Sequence, residues 1–396
     1  MKKTLKTVLA ISALSLCIAA SAQESEYKFT TVVENPITSI KNQNRSGTCW
    51  CFSGISFLES EAIRINKIKN EADYPDFSEM FVVSKSYQDR ADKYVRLDGN
   101  LTFGAGSESE DVLHILKDYG LVPQTVMNGL NYGTDLPVHG EIDALLASYV
   151  KVIVSNPNKN LSTAWKNGYK GVCDAYFGAC PEEFEYGGKN YTPRSFADSY
   201  KLNPDDYVTL TSFTHHPFHT RFALEVCDNW RNDQAYNLPL DEFMSVMFSA
   251  IENGYTTTWA GDVSELGFTR KGIAVIPEAE APKATSGSDQ EKWVGKAEEK
   301  EKDAKGIPAE KYISQEYRQE GFDNKASTDD HGMHAFGIAK DQNGTRYLMV
   351  KNSWGKTGDY DGIWYISESF TRAKALSFIV HKDALPKDIK NKLGIR

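Results

Sequence analysis

From residue 48 to residue 68 the apolar side chains Cys51, Ile55, Leu58, Ala62 and Ile65 recur at steps of four and three. That spacing predicts an α-helix with one buried stripe, and Gly47 and Thr48 stand where it would begin. Residues 108–119 carry a second helical pattern, closed by Tyr119-Gly120-Leu121-Val122-Pro123. A third, over residues 239–253, ends at Asn253-Gly254 before a β-rich run from Tyr255 to Trp259. Two short apolar strands, Phe336 to Lys340 and Arg346 to Lys351, flank Asp341-Gln342-Asn343-Gly344-Thr345. Asn-Gly between such runs marks a β-hairpin. Trp364 to Ser367 extends the β-rich ending, and residues 386–396 return to a charged helical pattern. Residues 278–311, with Pro282, Ser286-Gly287-Ser288 and the charged run Lys296 to Lys305, read as a solvated surface insertion. No internal repeat is visible, and the sum is a mixed α and β chain.

Composition narrows the class. With 396 residues, 40% hydrophobic and 12% aromatic, the chain can bury a large core and is not a disordered protein. Its net charge of −9 lacks the basic field that attracts polyanions, so nucleic acid is not an expected partner. Lys2, Lys3 and Lys6, the apolar stretch Thr7 to Ala20 and the small residues Ala20-Ser21-Ala22 read as a secretory leader over residues 1–22. Cleavage before Gln23 would leave residues 23–396 as the mature, exported protein, periplasmic or extracellular. Cys17 raises a lipoprotein alternative, which the bulky Leu16 before it disfavours. No stretch approaches the roughly 20 apolar residues that span a bilayer, so no membrane span is expected. Beyond the leader lie Cys49, Cys51, Cys173, Cys180 and Cys227, an odd set that leaves at least one thiol outside intramolecular pairing. Cys173 and Cys180 are close enough in sequence to be bridged, but spacing does not decide it.

The chemistry concentrates in Asn42-Gln43-Asn44-Arg45-Ser46-Gly47-Thr48-Cys49-Trp50-Cys51-Phe52-Ser53. Cys51 lies on the apolar stripe and is expected to be a buried small hydrophobe. Cys49 is off the stripe, in the first helical turn, where unsatisfied amides and the positive end of the helix dipole favour a thiolate. It is the candidate nucleophile. Base and orienter are sought in the hairpin. Folding the chain about residue 343 makes His334 and Asn352 symmetric partners, or partners one residue off, within reach of an amide-to-imidazole hydrogen bond. Trp354 would cover that pair. His331 is the rival base, outside the expected strand and without a partner at the matching position. His215, His216 and His219 could suggest a metal cluster, but no cysteine or carboxylate set at ligand spacing supports one. No phosphate-binding glycine loop is present, so neither metal nor nucleotide cofactor is expected.

Gln43, Cys49-Trp50, His334-Ala335 and Asn352-Ser353-Trp354-Gly355, in that order, resemble the papain-like cysteine peptidases. The resemblance implies that Gln43 and the Cys49 amide form an oxyanion hole, with Cys49 as nucleophile, His334 as acid/base and Asn352 as orienter. Ser46 departs from the papain signature, which has a cysteine there, and a long insertion separates Cys49 from the histidine. Both departures resemble the bleomycin hydrolase and aminopeptidase C branch. So do Asp76-Phe77-Ser78-Glu79, Tyr119-Gly120-Leu121-Val122-Pro123, Thr192-Pro193-Arg194-Ser195-Phe196, Trp259-Ala260-Gly261-Asp262-Val263 and Ile379-Val380-His381-Lys382.

That branch implies an α+β, papain-like fold over residues 23–396, with a helical half carrying Cys49 and a β-barrel-like half carrying the histidine and Asn352. It implies an aminopeptidase acting on short peptides, without cofactor, in a homo-oligomer that can be a hexameric ring with enclosed active sites. In the branch, a C-terminal arm in the cleft meets the substrate's amino group. Here the chain ends at Gly394-Ile395-Arg396, about a dozen residues before such an arm would finish, which leaves dipeptidyl- or endopeptidase cleavage as alternatives. A papain-fold acyl transferase or an inactive binding protein is the reading from another class.

Overall fold

The computed structural model describes residues 27–157, 160–278 and 307–396, so the expected leader and most of the charged 278–311 segment lie outside the described residues. After strand β1 (Thr30–Glu34), the chain builds a helical half: α1 (Cys49–Asn66), α2 (Glu79–Arg96), α3 (Glu110–Asp118), α4 (Gly140–Val154), α5 (Ala164–Phe177) and α6 (Pro193–Ser199). A small hairpin, β2 (Phe184–Tyr186) and β3 (Lys189–Tyr191), precedes α6. The stripe on α1 is buried as its spacing requires: Cys51, Ile55, Leu58 and Ala62 have no exposed surface. Burying a Leu or Ile side chain stabilises by roughly 1.5–3 kcal/mol, so Ile55 and Leu58 hold the helix firmly in the core it shares with α2 and α3.

Two stretches singled out in the sequence are local stops and starts. Ser78 caps α2 by accepting a hydrogen bond from the Phe81 amide at 3.1 Å. Gly120 ends the turn after α3 at φ +86°, where an added Cβ would lie 2.3 Å from the carbonyl of Pro193. Only glycine permits that approach, and the Leu121 amide then bonds the Pro193 carbonyl at 3.0 Å.

Among the described residues the other half is a ten-stranded sheet with α7 (Leu240–Glu252) on one face. Its further strands are β4 (Tyr207–Thr211), β5 (Arg221–Ala223), β6 (Gln234–Asn237), β7 (Thr257–Gly261), β8 (Ile273–Ala274), β9 (His331–Lys340), β10 (Arg346–Lys351), β11 (Ile363–Ser367) and β12 (Ala375–His381). The order is β5-β6-β4-β12-β7-β9-β10-β11-β8, with β1 added to the outer part of β9. Among the described residues the sheet is not closed on itself, so the expected barrel-like half is an open sheet. Helix α1 lies against β9 on the face opposite α7: Ser53 Oγ donates to the Met333 carbonyl at 2.5 Å, and Ser56 Oγ bonds His334 Nδ1 at 2.9 Å.

The hairpin forms at Asp341 to Thr345, where Asp341 Oδ1 accepts the amides of Asn343 and Thr345, both at 2.9 Å. Strand β9 starts at His331, five residues before the apolar run suggested. Pairing is symmetric about residue 343 from Arg346↔Lys340 to Met349↔Gly337, then slips by one, because Val350 faces Ala335 and Lys351 faces His334. Phe336 is the extra residue of a β-bulge. Side chains alternate between faces, so one extra residue exchanges the faces of all that precede it.

Candidate active site

Cys49 opens α1 and is half-buried, whereas Cys51, two residues on, is enclosed with its Sγ donating to the Glu79 carbonyl at 3.3 Å. Thr48 makes no side-chain cap for α1; its hydroxyl shares a 2.6 Å hydrogen bond with Ser46 instead. The first amides of the helix are thereby left for the site. The Gly332 amide, from β9, and the Trp50 amide both act on the Cys49 sulfur in the direction that favours its thiolate. Gly332 makes the approach of β9 easy, since an added Cβ would sit 3.3 Å from the Trp50 Cα, tighter than ordinary contact. Trp50 Nε1 donates to the Ala105 carbonyl at 3.0 Å, and Gly47 lets that loop approach because an added Cβ would meet Ala105 at 2.8 Å.

The histidine beside Cys49 is His331, not His334. His331 Nε2 lies 2.8 Å from Asn352 Oδ1, and the ring stacks on Trp354 with centroids 4.6 Å apart. Asn352 Oδ1 also accepts the Ser353 amide at 2.7 Å, which identifies that atom as the oxygen. The imidazole therefore carries its proton on Nε2 and presents Nδ1 as the free lone pair. The expected pairing of His334 with Asn352 is corrected by the bulge at Phe336. His334 points to the opposite face, fully buried against α1, and faces Lys351 across the strands. Burial, with the Lys351 ammonium adding to it, holds His334 well below the usual imidazole range. Its strand neighbour on the other side is Thr258. The sequence held one usable signal for His331, its position beside a glycine that eases close approach to the start of α1, while symmetric counting favoured His334.

Gln43 is buried at the junction of the halves. Its backbone amide donates to the Ser353 carbonyl at 2.7 Å, and Ser353 Oγ donates to Gln43 Oε1 at 2.5 Å. Gln43 Nε2 gives one hydrogen to the Ser46 carbonyl at 2.7 Å, leaving the second available. Trp354, expected over the histidine–asparagine pair, covers the His331–Asn352 pair and meets Trp364 edge-on at 5.5 Å.

Burial pushes the Cys49 thiol up to about 12; the Gly332 amide opposes the shift, and Asp228 and Asp329 add to it. Burial likewise lowers His331 to about 4, with the Asn352 hydrogen bond acting the other way. Burial thus opposes the thiolate that the open first turn of the helix was expected to favour. Acidic side chains surround the thiol: the Asp228 carboxylate lies on Gly106, where an added Cβ would be 2.2 Å away, and the Glu108 carboxyl hydrogen-bonds Asp329.

The other candidates separate from this site. His215 and His216 both bond Glu225, at 3.0 and 2.8 Å, while His219 bonds Glu242 at 2.7 Å. Glu225 makes a three-ligand set with the first two. Gln319 Nε2, however, donates to His215 Nδ1 at 3.1 Å, and the Thr214 amide fixes that amide's orientation. The proton of His215 is thus kept on Nε2, the nitrogen a metal would need. Cys173, Cys180 and Cys227 are free thiols, and Cys180 Sγ lies 3.7 Å from Ser84 Oγ. No helix among the described residues is long and apolar enough to cross a membrane.

A family model described as the Peptidase C1-like family matches residues 311–395, the stretch that holds His331 and Asn352. Aminopeptidase G of Lactobacillus delbrueckii subsp. lactis is 24% identical, over 90% of this chain and 83% of the relative. Aminopeptidase C of Lactobacillus helveticus is 21% identical, over 91% and 85%. Cysteine proteinase 1, mitochondrial, of Saccharomyces cerevisiae is 20% identical, over 92% and 79%. Among solved structures, PepW of Lactobacillus rhamnosis HN001 superimposes with a TM-score of 0.66 at 16% identity, covering 92% of this chain and 84% of the other.

Proposed function

The chain is a cysteine-type peptidase with a papain-like fold, and on that premise we propose that it hydrolyses peptide bonds through Cys49, His331 and Asn352, acting on short peptides from the amino end. The observation that carries the assignment is the 2.8 Å bond from His331 Nε2 to Asn352 Oδ1, on the strand whose next residue, Gly332, lies against the start of the Cys49 helix. As the sulfur bonds to the scissile carbonyl carbon, its proton passes to His331 Nδ1, and Asn352 Oδ1 stabilises the imidazolium through Nε2–H. The charge that develops on the carbonyl oxygen is met by the Cys49 amide and the second Nε2 hydrogen of Gln43. The imidazolium then protonates the departing amine, leaving a thioester. Water attacks the thioester with its proton going to His331, and Cys49 leaves as the thiol on recovering that proton. Trp354 keeps bulk water from the His331–Asn352 bond.

The aminopeptidase reading is supported by the names of the two lactobacillar relatives and by the field around the thiol, where Asp228 and Asp329 favour a substrate ammonium. Dipeptidyl- or endopeptidase cleavage is the second reading, favoured by the C-terminal helix Lys387–Leu393. Its Ile389 and Leu393 lie in the core shared with α7, and Lys392 pairs with Glu242 at 2.6 Å. Fluorogenic peptides with free and with blocked amino termini separate the two. A strong preference for the free amine supports exopeptidase action, and equal cleavage of both sinks it. Turnover surviving in Cys49→Ser would defeat the mechanism as a whole.

The proposal further places the mature chain outside the cytoplasm, on the strength of residues 1–22. Recovery of the uncleaved chain, starting at Met1, from the cytoplasmic fraction would contradict it. A homo-oligomer is proposed from the family resemblance and from the exposed Leu145 and Val152 on α4. Sedimentation of a fully active monomer would count against it.

A further inference from the structure

Trp259-Ala260-Gly261-Asp262-Val263 has no part in the chemistry above, yet it ends beside the histidine. Gly261 pairs with His331 across β7 and β9. An added Cβ on Gly261 would lie 2.1 Å from the Lys374 carbonyl, so this glycine admits the end of the helix Glu368–Lys374 into the junction. The Asp262 amide then bonds that same carbonyl at 3.1 Å. Inside the junction the Lys374 ammonium is almost wholly buried. It donates to the Ala326 carbonyl at 2.7 Å and to Ser327 Oγ at 3.0 Å, and it pairs with Asp262 at 3.3 Å and with Glu265. Asp262 Oδ2 in turn accepts the Thr328 amide at 3.2 Å, and Asp330 Oδ1 accepts the Val263 amide at 2.9 Å.

Four of these bonds, to Ala326, Ser327, Thr328 and Asp330, fall on residues 326–330, the stretch that leads directly into His331. We infer that Lys374, with Asp262, is a positioning residue for His331: it clamps residues 326–330 so that the imidazole stands beside Cys49 before substrate arrives. Lys374 touches neither substrate nor the reacting atoms and acts through the backbone it holds. The charged groups facing its ammonium are Asp262 and Glu265, with Asp330 on the clamped segment. A buried cation with four partners is costly to desolvate, and its most evident use here is the fixed path of the strand entrance. The inference rests on reading His331 as the acid/base.

The test uses the full mature protein with two readouts. One is kcat and KM on a free-amino peptide; the other is the rate of Cys49 alkylation by iodoacetamide at pH 6, which reports the sulfur–imidazole pair without turnover. Lys374→Met is expected to lower kcat by about 10- to 100-fold with KM within about threefold, and to slow alkylation by a similar factor. Lys374→Arg, which keeps the charge, should recover part of both. Should Lys374→Met fail to fold, Asp262→Asn carries the same readings, because it weakens the clamp while keeping an oxygen for the Thr328 amide. A lowered thermal midpoint with wild-type kcat and alkylation overturns the clamp and leaves a merely structural ion pair. Lys374→Met equal to wild type while His331→Gln is inactive overturns the clamp alone, whereas an active His331→Gln overturns the reading beneath it.

Discussion

Helix α1 and strand β9 each offer two chemically similar side chains close together, and the two elements sort them by different rules. On α1, Cys49 and Cys51 are separated by the helical rotation between them. Cys51 falls on the stripe with Ile55, Leu58 and Ala62, while Cys49 stays at the open first turn. On β9, His331 and His334 are sorted by strict alternation, under which three residues' separation places them on opposite faces. A helix tolerates small errors of register because its buried stripe is broad. A strand does not, since one inserted residue exchanges both faces, and the bulge at Phe336 supplies that residue.

The largest expected effect falls on the helix pair. Cys49→Ser should abolish measurable turnover, because the hydroxyl is a far weaker nucleophile and far less acidic than the thiol that His331 deprotonates. Cys51→Ala should retain turnover. If both variants were equally impaired while folded, the sorting by helical rotation would be wrong. Next in size is Asn352→Ala, which frees the His331 ring. The kcat loss should be about 100-fold with the thermal midpoint little changed, and a change in KM alone would deny Asn352 an orienting role.

The pH dependence sharpens the strand side. His331 is lowered from its ordinary 6.5 to about 4, so the neutral base persists above that pH and is lost as pH falls through it. The acid limb of kcat/KM should thus centre near 4, and a midpoint at or above 6.5 would mean that the ring is not buried as described. The smallest effect is thermodynamic. Cys51→Ala removes a buried sulfur and opens a small cavity, which should cost about 1 kcal/mol in denaturant unfolding, and Cys49→Ala should cost less because its site is half-open.

Much of this was legible in the residues. The stripe on α1 came through because burial on a helix leaves a periodic trace, and the Asn343-Gly344 turn because its chemistry is local. Gln43, Cys49, Asn352 and Trp354 are brought together at the junction of the two halves. The pairing of His331 with Asn352 was lost at Phe336. An apolar residue in an apolar run looks the same whether it is paired or bulged, so the slip leaves no mark in composition or period. Counting outward from the turn held as far as Met349↔Gly337 and failed beyond it. The start of β9 was hidden for a related reason. From His331 to Ala335 the strand is buried on both faces, between α1 and the α7 side of the sheet, so its polar residues answer to specific partners such as Ser56 and Asn352. The open sheet was equally beyond reach, because β9 changes neighbours along its length, pairing β7 at one end and β1 at the other, and no local signal encodes such a branch.

The central claim is that His331, and not His334, exchanges the proton with Cys49. Its most direct test is kcat/KM for His331→Gln and His334→Gln, purified in parallel and both shown to be folded. The account predicts a loss of about 1,000-fold or more for His331→Gln. For His334→Gln it predicts lower stability, from the lost bond to Ser56, with activity within about tenfold of wild type. An inactive His334→Gln beside an active His331→Gln would contradict it.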